Sequence, residues 1–397
     1  LPFVAIHAMV APIMERDLFT TDRIFCPGPT PVPKAALDAA AATSIYHRTD
    51  EFYKIFRGCL DRLQPIFGCS ELPVILASSG TGGLEAAMQN LTDVGDEIVV
   101  VNGGKFGERW EKLGLAYQCK VEAIKIPWGT KPDVAMIKAA IAKQAKTKAV
   151  FLQGNETSTG AYYGIETLVP ELRKSFDGLV VVDAISSLGA HAMKMDAWKI
   201  DCVVAGSQKG FGIPAGLAFV ALSKRGWQSL SKRPKFYFDL AKEAKGQAEG
   251  RSAWTPANSL IMSLSATLDI MHDAGLDNVL KHHEALAKAT RAAVKAIGLE
   301  VLPKDAPSNA LTAAVLPAGI DGSKLIKQLR QRFATFFAGG QDELKGKVVR
   351  LAHLGFVSRF DLIDCLAAFE FGLAEAGYKF DLGAGVKAAM QSLSGHR

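Results

Sequence analysis

The sequence predicts an α/β protein, with a large unit on a mainly parallel sheet and a smaller α+β unit after it. Three observations lead there. Over the first two thirds, short β-branched runs alternate with longer amphipathic stretches, the pattern of βαβ units on a parallel sheet. Beyond Pro256 the texture changes to long helical patterns followed by short strands. The 397 residues exceed one average domain of about 150 residues.

Taken in chain order, seven strands are predicted, at Pro73–Ala77, Glu97–Val101, Val121–Ile126, Ala149–Leu152, Leu179–Val182, Cys202–Ala205 and Leu217–Leu222. Each is a short run rich in apolar or β-branched residues, and Leu179–Val182 is apolar throughout, as a strand buried on both faces requires. Helices are predicted between them at Leu84–Leu91, Gly107–Leu115, Val134–Ala145 and Gly164–Phe176, with Gly95 and Gly178 as C-caps. The second unit reads as helices Ser259–Ala274 and Leu276–Ile297, strands near Thr312–Leu316 and Lys347–Leu351, and helices Ser323–Arg332 and Asp361–Ala376. A boundary near Gly275 gives a large domain over 22–274 and a small one over 275–397. Residues 1–21 are expected as an N-terminal arm lying on a neighbour. Their apolar stretch Leu1–Met14 holds His7 and two prolines and lacks the basic leader of a signal peptide.

Composition removes several function classes. Hydrophobic residues make up 49% and charged residues 22%, so the chain is neither disordered nor low-complexity. The net charge of +6 is small and dispersed. Its tightest basic cluster, Lys232, Arg233 and Lys235, has no interleaved aromatics, so no nucleic-acid partner is expected. The longest uncharged run, Ser252–Leu268, has 17 residues, short of the roughly 20 that a spanning helix needs, and no membrane partner is expected. Six cysteines lie far apart without a C-x-x-C pair. No metal site and no disulfide framework are expected, and reduced thiols suit the cytoplasm.

Three strand ends carry chemistry. Ser78-Ser79-Gly80-Thr81-Gly82-Gly83 follows the first strand and precedes a helix, so free backbone N–H groups and the helix dipole would bind a phosphate. Glu85 stands where a dinucleotide loop has its third glycine, which favours a single phosphate. Asp183 ends the fifth strand; alone, it reads as an N-cap for Ile185 onward. Lys209 follows the sixth strand within Ser207-Gln208-Lys209-Gly210-Phe211; alone, it reads as a solvated lysine. A phosphate cup, a carboxylate and a lysine at the carboxyl ends of strands are the three functions a pyridoxal phosphate enzyme needs.

At this point the sequence resembles the class V aminotransferases of pyridoxal phosphate fold type I, in particular the alanine–glyoxylate and serine–glyoxylate group. The strongest stretch is VVDAISSLGA followed by AGSQKGFGIPAGLAFVA. Further matches are PGPTPVP, HRTDEF, SSGTGGLEAA, NGGKFGERW, NETSTG, WTPANSL and VRLAHLG. The resemblance implies pyridoxal 5'-phosphate as cofactor, with Lys209 as the Schiff-base lysine and Asp183 on the pyridine nitrogen. It implies Phe106 stacked on the ring, Ser158 at the ring's oxygen, and Gly80, Thr81, Gly82 and Gln208 around the phosphate. Thr255 would come from the partner subunit of a homodimer with shared active sites. Arg350 would grip the substrate carboxylate, with Gly28 and its neighbouring prolines beside it. Ser252 departs from relatives that place a tyrosine there as a phosphate ligand. The implied activity is ping-pong transamination from a small amino acid, alanine or serine, to glyoxylate or pyruvate. Alternatives are a pyridoxamine–pyruvate aminotransferase, a cysteine desulfurase-like enzyme and a non-enzymatic cofactor-binding protein. Phe106 stands where desulfurases carry a histidine, Cys365 falls in a helical pattern rather than a loop, and no DNA-binding segment precedes Asp22.

Overall fold

The structure, a computed structural model, describes residues 21–42 and 45–395; the expected N-terminal arm lies almost wholly outside them. All seven predicted strands form and join one sheet. We number them β1 (Val74–Ala77), β2 (Glu97–Asn102), β3 (Lys120–Lys125), β4 (Thr147–Gln153), β5 (Leu179–Asp183), β6 (Cys202–Gly206) and β7 (Leu217–Leu222). Their order is β1-β7-β6-β5-β4-β2-β3. Only β7 runs antiparallel, to β1 and to β6; the remaining pairs are parallel. The carboxyl ends of six strands therefore lie along one edge.

The period-2 alternation of strand side chains divides the core in two. Val99, Val150, Val182, Val203 and Phe219 face a layer that contains Phe56, Leu63 and Leu264. Their neighbours Val100, Phe151, Val181, Val204 and Val220 face a layer with Leu84, Met88 and Trp110. The helices behind these layers are α1 (Asp50–Phe67), α2 (Gly80–Leu91), α3 (Lys105–Ala116), α4 (Val134–Ile141), α5 (Ile165–Leu172) and α6 (Asn258–Ala274). Helix α1 was not predicted, although Thr49 accepts a hydrogen bond from Phe52 N at its start and Gly68 closes it at φ 62°.

Five local expectations need correction. Helix α2 starts at Gly80, four residues early, because Gly83 lets it lie against the sheet: a Cβ there would come within 2.8 Å of Val204. Helices α4 and α5 end at Ile141 and Leu172, earlier than expected. Gly95 is not a cap. Thr92 ends α2 with an extended backbone, its hydroxyl donating to Met88 O, and Gly95, at φ 83°, turns the chain into β2. Gly178 is not a cap either; Arg173 is. A Cβ at Gly178 would come within 2.2 Å of the Phe176 ring and 2.9 Å of Thr147 O.

The second sheet is antiparallel, built from β8 (Glu300–Val301), β9 (Leu311–Val315), β10 (Ala338–Gly339) and β11 (Val348–Ala352) in the order β8-β9-β11-β10. Helices α7 (Leu276–Ala296), α8 (Gly322–Phe333) and α9 (Arg359–Glu375) cover one face around Leu286, Leu329, Val349, Leu351 and Phe369. Arg23–Ile24, expected within the large domain, pairs with Thr335–Phe336, and Phe25 packs in this smaller core.

Buried imidazoles lie where α7 meets this sheet. His283 Nδ1 donates to His353 O at 3.0 Å, and His353 Nδ1 donates to Asn309 O at 2.9 Å. Burial lowers His283 to about 4 and His353 well below its ordinary 6.5. The unfolded chain takes up these protons near pH 6.5, whereas the folded one does not. The stabilisation is therefore complete above about pH 6.5 and lost as pH falls toward 4, by up to about 1.4 kcal/mol per pH unit per group. The urea midpoint should fall between about pH 7 and pH 5, and His353→Gln should flatten that fall. A pH-independent midpoint would refute this role.

Candidate active site

The carboxyl edge of the sheet gathers most of the predicted site. At the exit of β1, Gly80, Thr81 and Gly82 form the first turn of α2, whose N-cap Ser79 makes no side-chain cap. The first N–H groups of a helix have no intrahelical partner, and they open toward the site with the positive end of the helix dipole. A Cβ at Gly82 would fall 1.8 Å from Ser78 Oγ, so a side chain there would have to displace the Ser78 hydroxyl. Arg109 Nη1 donates to Thr81 Oγ1 at 3.0 Å.

Asp183 ends β5 and is buried. Its Oδ1 accepts from Ile185 N at 2.9 Å, an Asx-turn contact; residues 185–187 form a turn and not a helix, so Asp183 is not an N-cap. Burial raises its carboxyl to about 7, against the opposing pull of Ile185 N–H and Arg109. Lys209 follows β6 and is half-buried. Burial, helped by the charge of Arg350, lowers its amine to about 8, and Asp183 pulls it back up. Lys209 Nζ donates to Pro27 O at 2.5 Å. Gly28 makes room for this: a Cβ there would come within 2.4 Å of Nζ. Thr30 fixes the same loop, its hydroxyl donating to Lys209 O and its N–H to Gln208 O.

Arg350 comes from the second sheet. Its neighbours Val349 and Leu351 point into the small core, so period 2 sends Arg350 to the opposite face. There Nε donates to Gly339 O and Nη1 to Thr157 O, both at 2.9 Å. Burial lowers its pKa, and its charge acts on Lys209.

Phe106 lies in the first turn of α3, half-buried, with the Arg109 guanidinium 4.9 Å from its ring centroid. Ser158 is buried in the loop after β4. Its hydroxyl donates to Glu156 Oε1 at 2.5 Å and accepts from Lys105 N at 3.2 Å, so its proton already has an acceptor. Glu156 and Arg109 are the site residues that sequence reasoning missed. Both stood inside quoted motifs, and Arg109 is one helical turn from Phe106, the spacing at which side chains meet.

Thr255 is not brought to this cluster within its own chain. It is exposed and borders a crevice with Phe56, Ala77 and Leu217. Ser252 uses its hydroxyl on Trp254 O within the same loop. Cys365 is buried in α9, where it offers no reactive thiol to the site.

These residues fit a pyridoxal phosphate group. Gln208 Oε1 is buried without a hydrogen-bond partner among the described residues, beside the uncapped start of α2, and Asp183 presents a buried carboxyl at the same edge of the sheet. Among the described residues, no group of three or more metal-ligating side chains occurs, and no helix is long and apolar enough to cross a membrane.

Comparison with known proteins agrees with this geometry. Residues 27–343 match the model of the family described as aminotransferase class-V. The chain is 39% identical to a protein named soluble hydrogenase 42 kDa subunit from Anabaena cylindrica, over 94% of this chain and 98% of that one. It is 35% identical to the serine–glyoxylate aminotransferase of Hyphomicrobium methylovorum, over 94% and 95%. Its structure resembles that of pyridoxamine–pyruvate aminotransferase from Mesorhizobium loti, with a TM-score of 0.90 and 25% identity over 98% and 100%. The fold is that of the fold type I pyridoxal phosphate enzymes. On the family match and on these identities across nearly its whole length, the chain belongs to the class-V aminotransferase family.

Proposed function

We propose that this protein is a pyridoxal-phosphate-dependent aminotransferase that moves the amino group of alanine or serine to glyoxylate or pyruvate. The observation that carries the reading is the half-buried Lys209 amine, set between the charges of Asp183 and Arg350. When bound, the cofactor supplies an electron sink for the substrate's α-carbon. Gly80, Thr81, Gly82 and Gln208 would hold its phosphate, and Phe106 and Asp183 its ring. Lys209 Nζ takes the α-proton as general base, and a lowered pKa keeps more of the free amine present near neutral pH. Arg350 orients the substrate carboxylate, its guanidinium already aligned by two backbone carbonyls. One carboxylate subsite serves donor and acceptor in turn, so the two cannot bind together and kinetics are ping-pong. The other nearby cation, Arg109, is engaged by Thr81 and Phe106, which favours substrates with a single carboxylate.

The names of several relatives support amino-group transfer to glyoxylate, and the Lys209–Asp183–Arg350 set supports it over the hydrogenase names that two relatives carry. A panel of amino donors with glyoxylate and pyruvate, read by keto acid formation, tests the reading; failure of alanine and serine to donate would overturn the substrate assignment. One observation favours a second reading, pyridoxamine–pyruvate transamination: Ser252 is engaged within its own loop and adds nothing to phosphate anchorage. Free pyridoxamine acting as donor with pyruvate would select it.

Borohydride reduction after addition of pyridoxal phosphate should label Lys209. In the protein without cofactor, the labelling rate of Lys209 by an amine-reactive reagent should rise through about pH 8. Arg350→Met should move that midpoint up, because a neighbouring cation is lost, and Asp183→Asn should move it down. Mass spectrometry of the labelled peptide checks all three; a midpoint near that of an ordinary lysine would contradict the electrostatic argument.

Thr255, exposed on its own chain, would serve the site of a second copy in a two-fold dimer. Lys209→Ala and Thr255→Asp, each inactive alone, should regain activity when refolded together, because one site of the mixed dimer then carries neither lesion. Verified mixed dimers without activity would rule out a shared site.

A further inference from the structure

Helix α3 starts without a cap of its own. Its N-cap, Gly104, has no side chain to accept the first N–H groups. Glu156, about fifty residues further along the chain, supplies what is missing. Its Oε2 accepts from Phe106 N at 3.2 Å and from Gly107 N at 3.0 Å. Its Oε1 accepts from Ser158 N at 3.1 Å and from Ser158 Oγ at 2.5 Å. The side chain is fully buried, and burying a carboxylate is costly unless it is well hydrogen-bonded. Four donors and the positive end of the α3 dipole offset that cost. Gly104 is shaped to the same contact: its φ of 164° is extended, yet a Cβ there would lie 2.3 Å from Ser158 Oγ and 2.6 Å from Glu156 Cδ. The carboxylate thus ties the turn that carries Phe106 to the loop that carries Ser158.

We propose that Glu156 is a positioning residue for the cofactor, holding the Phe106 ring and the Ser158 hydroxyl as one rigid wall against which the pyridine ring is placed. The inference rests on the reading of Phe106 and Ser158 as cofactor-facing. Glu156→Gln keeps the size of the side chain but turns amide N–H groups toward N–H donors, so α3 loses part of its cap and the wall loosens.

The test is pyridoxal phosphate affinity, with the visible circular dichroism of the bound cofactor, at a temperature where far-ultraviolet dichroism shows each variant folded. Glu156→Gln should raise the dissociation constant about tenfold or more and reduce the induced dichroism. Gly104→Ala, which crowds the carboxylate without removing it, should act in the same direction; it decides the question if Glu156→Gln does not fold. In a Phe106→Ala/Ser158→Ala background, Glu156→Gln should cost little further affinity, because the groups it positions are gone. Wild-type affinity and dichroism in Glu156→Gln, or in Gly104→Ala where only that variant folds, would overturn the proposal. So would a loss that persists in full in the double-variant background. If Phe106→Ala/Ser158→Ala itself binds cofactor like the wild type, the cofactor-facing reading fails instead.

Discussion

Strands β5 and β6 are buried along their whole length, and this constraint governs the site. A strand covered on both faces has room only for apolar side chains, so a polar group can appear only where the strand ends. Because six of the seven strands run the same way, those ends share one edge. Asp183, the Ser207–Lys209 segment, the glycine turn of α2, Phe106 and the Glu156–Ser158 loop are all exits of this kind.

Crowding charges at that edge sets the chemistry. Three cationic side chains, Arg109, Lys209 and Arg350, share a low-dielectric region with two carboxylates, Asp183 and Glu156. Burial disfavours the charged forms of Lys209, Arg350, Asp183 and Glu156. They remain useful because each is offset by a specific partner: Asp183 by Ile185 N–H and Arg109, Glu156 by four donors, and Arg350 by two carbonyls. At Lys209, burial and the charge of Arg350 outweigh the attraction of Asp183, so its amine is lowered to about 8. The cationic surplus favours anionic ligands, as a phosphate and a carboxylate are.

The second sheet matters because it delivers one residue from a distance. Arg350 sits on β11, and its Nη1 ends on Thr157 O, in the same loop as Glu156 and Ser158. That loop is therefore held from two sides, by α3 through Glu156 and by the small sheet through Arg350. The buried His283–His353 pair ties α7 to the end of β11, the strand that carries Arg350.

By itself the sequence determined the seven strands, because each is a short run rich in apolar or β-branched residues, and it placed Asp183, Lys209 and the glycine turn of the candidate site where strands end. Asp183, Lys209 and the glycine turn were legible for that reason, and family resemblance added Phe106, Ser158 and Arg350. Helix α1 and the strand pairs at Arg23–Ile24 and Thr335–Phe336 were not legible. The first begins in a motif that suggested only a match, and two-residue strands exist only through their partner. Glu156 was equally hidden: a glutamate in a polar loop looks solvated until the fold brings the uncapped start of α3 onto it. Tertiary structure alone also decided the protonation tendencies, since the lowered Lys209 and raised Asp183 arise from burial and from charges distant in sequence. The physical reason is common to these cases: local sequence sets backbone preference and burial, whereas hydrogen-bond partners and electric fields come from whichever segments packing makes neighbours.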